Sequence, residues 1–216
     1  MEAPPFAVHH DLDGWELLWV HLEFIPGQEE ALAALRRESS ERARSRFAPD
    51  SLSSHPTVAA LRSLFRAAGC DPTRYRPSSE ALLRRVLKGE DLPAIHPLVD
   101  LNNCLSAELA DPCCGVGEGS FAPPVVLRAG QAGETYESLR GPFNLEGKPL
   151  LADAEGPFGT PITDSQRVKV REGVARAWMV AYLPFGIVTP EAGLSVLNDL
   201  LAAAPVARLL ETGASR

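Results

Sequence analysis

Apolar residues recur at helical spacing over residues 79–88. Leu82, Leu83, Val86 and Leu87 form one stripe, and Arg84, Arg85 and Lys88 lie off it. Ser78 stands where a hydroxyl can cap the first turn, and Glu80 where negative charge is favoured. Gly89 offers the stop. A second helix is predicted over 97–109, opened by Pro97 and buried along Leu98, Leu101, Leu105 and Leu109. Upstream, the pattern predicts a strand over 15–25, stopped by Pro26-Gly27. A helix over 28–47, a Ser- and Pro-containing linker over 48–54 and a helix over 56–68 ended by Gly69 follow.

The pattern changes at Asp111. From there to Thr163, Gly and Pro punctuate short apolar runs, which reads as strands joined by turns. Strands are predicted at 125–128, 135–139 and 150–152, with turns at 144–147 and 153–156. Residues 178–183 are continuously apolar, as a central buried strand would be. Thr189 and Pro190 start a final helix, and the Ala-rich stretches near the C-terminus read as helical. An N-terminal strand and helices, a strand-rich part and a last helix make the expected class α+β. The 216 residues can form one domain or two packed lobes.

The net charge of -7 argues against a general nucleic-acid binder, including a DNA binder, but leaves room for a local basic face. Arg74, Arg76, Arg84, Arg85 and Lys88 outline one. Arg36, Arg37, Arg42, Arg44 and Arg46 are interleaved with Glu29, Glu30, Glu38 and Glu41, and read as a solvated helix face with helical charge pairs. No apolar run is long enough to span a membrane, and the first six residues lack a secretory pattern, so a cytoplasmic location is expected. Cys70, Cys104, Cys113 and Cys114 form no pair of metal-ligand motifs, and His96 is at the wrong helical phase to join Cys104. They read as reduced packing residues, with no metal and no cofactor expected.

Common catalytic signatures are missing. Residues 193–197 lack the second glycine of a nucleophile elbow, and there is no phosphate loop and no HExxH. Residues 115–120 are glycine-rich but follow a turn, and are expected to form a flexible loop over a pocket. Asp100, Asn103 and Ser106 recur every third residue on one helix. They are either a satisfied polar edge or a pocket floor. Thr160, Thr163, Asp164, Ser165 and Arg167 form a hydroxyl-rich turn beside a carboxylate, able to orient water or hold an ammonium group. The competing reading is Asp164 capping a short helix.

The run RPSSEALLRRVLKGEDLP at 76–93, followed by PLVDLNN at 97–103, resembles the editing domain of the bacterial phenylalanyl-tRNA synthetase β-subunit, the B-three/B-four domain. It resembles above all the small freestanding proteins made of that domain alone. PLLADAEGP at 149–157, GTP at 159–161 and DSQRVKV at 164–170 resemble the segments before and in that family's pocket. The synthetase version has a glycine pair followed by Glu; here the acid is Asp164, and Asn102 stands where relatives often carry an aromatic residue. The resemblance implies a trans-acting deacylase that clears mischarged tRNA, with aminoacyl-tRNA as partner. It implies Asp164 as the catalytic group and Asp100, Asn103, Ser106, Thr160, Thr163, Ser165 and Arg167 around the substrate. Arg76, Arg84, Arg85 and Lys88 would then meet the RNA. An aminoacyl ester is already activated, so positioned water and a donor for the carbonyl oxygen suffice. The alternative is a non-catalytic module that binds a free amino acid, a small metabolite or a protein partner.

Overall fold

The computed structural model describes residues 8–216, so the reading of the first six residues lies outside the described residues. The chain runs β1 (Val8–His10), β2 (Trp15–Phe24), α1 (Glu29–Arg46), α2 (Pro56–Ala68), α3 (Ser78–Leu87), α4 (Pro97–Leu109), β3 (Cys113–Gly117) and β4 (Val125–Ala129). It continues with β5 (Thr135–Ser138), β6 (Gly141–Asn144), β7 (Pro149–Asp153), β8 (Gly156–Gly159), β9 (Arg176–Pro184), α5 (Pro190–Ala203) and β10 (Ala207–Ser215). The class is α+β.

Strands in the order β10-β2-β9-β3 form an antiparallel sheet, and β1-β4-β7-β8 form a second sheet with β1 parallel to β4. β5 and β6 make a separate hairpin. Alternation along β2 explains the layering, because successive side chains leave opposite faces. Leu18, Val20 and Leu22, with Met179, Ala181 and Leu183 of β9, join the core that α1, α4 and α5 cover. Trp15, Leu17 and Trp19, with Trp178, Val180 and Tyr182, pack toward α2 and the second sheet. β9 is thus paired on both edges and covered on both faces, which is why its sequence is apolar without alternation.

Several expectations hold locally. Gly69 and Gly89 take positive φ just beyond α2 and α3. The Thr189 side chain accepts from the Ala192 amide at 3.2 Å to open α5. Among the described residues no helix is long and apolar enough to cross a membrane.

Other expectations are corrected. Ser78 does not cap α3 with its hydroxyl: the helix begins at Ser78, whose amide donates to the Pro161 carbonyl at 2.8 Å. The glycine-rich stretch is not a flexible loop over its first part. Residues 113–117 are strand β3, where Gly115 and Gly117 let the 168–170 segment approach; the Gly117 amide donates to Val168 at 2.9 Å. The chain after α5 is an edge strand, β10, paired antiparallel with β2; Gly213 lies against Trp19, where a Cβ would sit 2.2 Å from the ring. The α1 arginines form a solvated face only in part: Arg37, Arg42 and Arg46 are exposed and Arg42 makes a helical pair with Glu38 at 3.7 Å, but three of the five also pair with acids on other elements. Arg36 pairs with Asp100 at 2.6 Å, Arg42 with Glu108 at 2.7 Å and Arg44 with Asp91 at 2.7 Å, tying α1 to α4 and to the segment after α3.

Glu80 also does more than favour a helix start. Its carboxylate is fully buried and is held by Arg62 of α2 at 2.9 Å and by Arg84 at 3.0 Å. Removing one partner of a buried ion pair strands the other. Glu80→Ala is expected to cost about 3 kcal/mol of stability, read as a lower urea midpoint, with Glu80→Gln closer to the unaltered protein.

Candidate functional site

A cleft of about 520 Å³ opens where α3 and α4 face the β5–β6 hairpin and the turn at 160–163. Its position follows from three ties. The Ser78–Pro161 hydrogen bond joins the start of α3 to that turn. The Tyr136 hydroxyl of β5 donates to the Thr163 carbonyl, and the Thr160 hydroxyl donates to the same oxygen at 2.7 Å. Tyr75 and Phe143 form an aromatic wall, edge to face with centroids 6.0 Å apart. The Lys148 ammonium lies 4.0 Å from the Tyr75 centroid, and burial lowers its pKa.

The rim carries Arg74, Arg76, Arg85 and Arg140, and among the described residues no acid lines the cleft. Polar groups come from Asn103 and Ser106 of α4, Cys113 of β3 and Thr163. Ser106 is buried and its hydroxyl donates to the Asp111 carbonyl at 2.7 Å. Ile95 and Leu139 are the apolar lips, 63% and 52% exposed, unusual for such side chains.

The family model of the B3/4 domain matches residues 60–187, more than half of the chain and all of the cleft lining. The chain belongs to the B3/4 domain family. The family expected from residues 76–103 and 149–170 is therefore the one found. Among solved structures, an N-terminal fragment of the phenylalanyl-tRNA synthetase β-subunit from Pyrococcus horikoshii is similar at 13% identity with a TM-score of 0.44, over 89% of this chain. The match takes in 46% of that fragment, so this chain spans about half its length. No curated protein matches the chain.

Within this B3/4 domain, Asn103, Ser106, Thr163, Arg76 and Arg85 meet at the cleft. The other anticipated residues do not line it. The Asp100 carboxylate accepts from the Ile95 amide at 2.8 Å and pairs with Arg36. The reason is helical phase: each step of three residues rotates about 60° back around the axis, so Asp100 points well away from Ser106. The Thr160 hydroxyl closes its own turn through Thr163. Ser165 is buried behind that turn. Arg167 grips Asp153 with two bonds of 2.9 Å and reaches the Gly156 carbonyl. Arg84 is committed to Glu80, and Lys88 is exposed beyond the end of α3. Among the described residues the four cysteines are free, and no group of His, Cys, Asp and Glu is placed to hold a metal.

Asp164 stands behind the floor. Its Oδ1 is sealed from solvent without a hydrogen-bond partner and lies 3.2 Å from where a Cβ on Gly159 would be. The Tyr182 hydroxyl lies 3.4 Å from the same point, so glycine at 159 makes room for both groups. Burial pushes the Asp164 pKa up to about 8, and burial also raises the Tyr136, Tyr182 and Cys114 groups around it. Burial therefore biases the Asp164 carboxyl toward its neutral form. Tyr75, Arg140 and Phe143 were not anticipated; the sequence signal for the last two is the Arg140-Gly141-Pro142 step, a turn between two short runs.

The raised pKa gives a signed expectation. The folded state holds the Asp164 proton from about pH 4 to pH 8 while the unfolded chain releases it, so this contribution to stability is full below about pH 4 and is lost as pH rises through 8. Asp164→Asn should therefore gain stability relative to the unaltered protein between pH 4 and 8. Urea midpoints of both proteins across that range check it.

Proposed function

We propose that this B3/4 domain hydrolyses the ester of mischarged aminoacyl-tRNA in trans. The observation that carries the reading is the cleft itself: an arginine rim without carboxylates over a floor where the Asn103 amide and Thr163 hydroxyl make no hydrogen bond to another described side chain. A basic mouth on a protein of net charge -7 favours an anion that approaches this one place. Arg140 at the hairpin tip and Arg85 suit tRNA phosphates. Arg85 meets Glu90 at 2.7 Å, but both side chains are half exposed, so the pair is cheaply exchanged for a phosphate.

In this reading water attacks the ester carbonyl carbon, the bond to the ribose oxygen breaks, and that oxygen takes the proton. Free amino acid and tRNA leave. Asn103 and Thr163 position the water and stabilise the carbonyl oxygen as it gains charge. The neighbouring ribose hydroxyl assists. Asp164, first expected to act on the substrate, supports the turn from behind, biased by burial toward its neutral form.

Two measurements test this. Purified protein is given a panel of mischarged tRNAs; release of at least one amino acid supports the reading. Asn103→Ala with Thr163→Val should then lower kcat by about a hundredfold or more. No release across the whole panel, together with a higher melting temperature in a free amino acid, favours the binding-module alternative. For the RNA contact, Arg85→Ala and Arg140→Ala should each weaken tRNA binding and lower the salt slope by roughly one.

A further inference from the structure

We infer that the aminoacyl groups this cleft selects carry an anionic side chain, aspartyl or glutamyl, and that Arg76 reads that carboxylate; the inference rests on the hydrolase reading above. It begins from the charge lining the cleft. An aminoacyl ester brings a positive ammonium group. With Arg85 and Arg140 turned to phosphates, a neutral side chain would still leave that cation beside Arg74 and Arg76, with no acidic residue among the described residues of the lining. A side-chain carboxylate cancels the ammonium charge and supplies a ligand for a guanidinium.

Among the described residues, the acids behind the floor are buried or paired, and the exposed Glu90 lies outside the lining, against Arg85. Asp111, whose carbonyl meets Ser106, is fully buried with both carboxyl oxygens unpartnered, and burial pushes its pKa well above the usual carboxylate range. Asp164, behind Thr163, is biased by burial toward its neutral form. Glu80 is saturated by Arg62 and Arg84.

The choice among the four arginines follows from their partners. Arg85 holds Glu90, and the Arg74 guanidinium lies 5.1 Å from the Tyr75 ring centroid. The Arg140 and Arg76 side chains make no hydrogen bond, ion pair or ring contact with another described residue. Arg140 rides on the tip of a two-stranded hairpin. Arg76 precedes Pro77 and α3, and the next residue, Ser78, is bonded to Pro161 in the turn that ends at Thr163. Arg76 is therefore the unpartnered cation that lies two residues from the amide bonded to the turn carrying a floor hydroxyl. Arginine also reads a carboxylate through two parallel hydrogen bonds, which gives direction as well as charge.

The test uses one tRNA acceptor charged in turn with Asp, Asn, Glu, Gln and Tyr. The aspartyl and glutamyl esters should be hydrolysed at least about tenfold more efficiently in kcat/KM than their amide counterparts. Arg76→Gln should collapse that ratio toward one, and Arg76→Lys should restore part of it, with folding checked by melting. Equal hydrolysis of Asp and Asn esters overturns the inference, as does an Arg76→Gln variant that loses all esters in equal proportion. If no ester is cleaved, the hydrolase reading fails separately. Binding of 3′-aspartylamido- and 3′-asparaginylamido-adenosine, measured by calorimetry, then decides: a preference for the aspartyl compound supports the inference and its absence overturns it.

Discussion

The buried pairing of Asp100 with Arg36 orients the helix on which the rest of the molecule is assembled. α4 buries Leu98, Leu101, Leu105 and Leu109, packs against α1 and α5, and presents Asn103 and Ser106 to the cleft. A leucine seam alone leaves a helix free to rotate by a fraction of a turn, because apolar contacts have little direction. Asp100 removes that freedom by accepting from the Ile95 and His96 amides before the helix and from Arg36 across it. Such a pair adds little net stability, but breaking it leaves a buried charge, so it acts on geometry.

The opposite wall is set by a different kind of tie. Backbone and hydroxyl hydrogen bonds stitch the 160–163 turn to α3 through Pro161 and to β5 through Tyr136. These link elements distant in sequence, so the two sides of the cleft are held at a defined separation. Glu80 fixes α3 against α2 in the same way. The outcome is a frame that leaves the arginine rim, the Ile95 and Leu139 lips and the Asn103 and Thr163 floor open to a ligand.

Charge is distributed by the same logic. The protein carries an excess of acid, yet most carboxylates close to the frame are consumed: Asp100 by Arg36, Glu80 by two arginines, Asp153 by Arg167 and Glu134 by Arg128. Asp111 and Asp164 are biased toward their neutral forms by burial. Arg74, Arg76 and Arg140, which have no ion pair among the described residues, face the cleft. A basic site on an acidic protein therefore arises from which charges are paired, and not from how many there are.

The order of elements was legible in the chain because periodicity and stop signals are local. The α3 and α4 stripes, the glycines beyond α2 and α3, the apolar run of β9 and the Thr189 cap all act within a few residues. The family was legible too, since residues 76–103 and 149–170 carry its pattern. Five strands were not, because β1, β3, β6, β8 and β10 are short, glycine-containing or polar on one side, and are made strands by their partners. Part of the site was legible: Asn103, Ser106, Thr163, Arg76 and Arg85 meet at the cleft, while Asp100, Arg84 and Arg167 are spent on internal carboxylates or amides. Sequence by itself determined which residues could form helices and which polar groups were available. Only tertiary structure decided which of those groups remained unpaired, because a carboxylate or guanidinium is free or spent according to what the fold brings within hydrogen-bond distance of it.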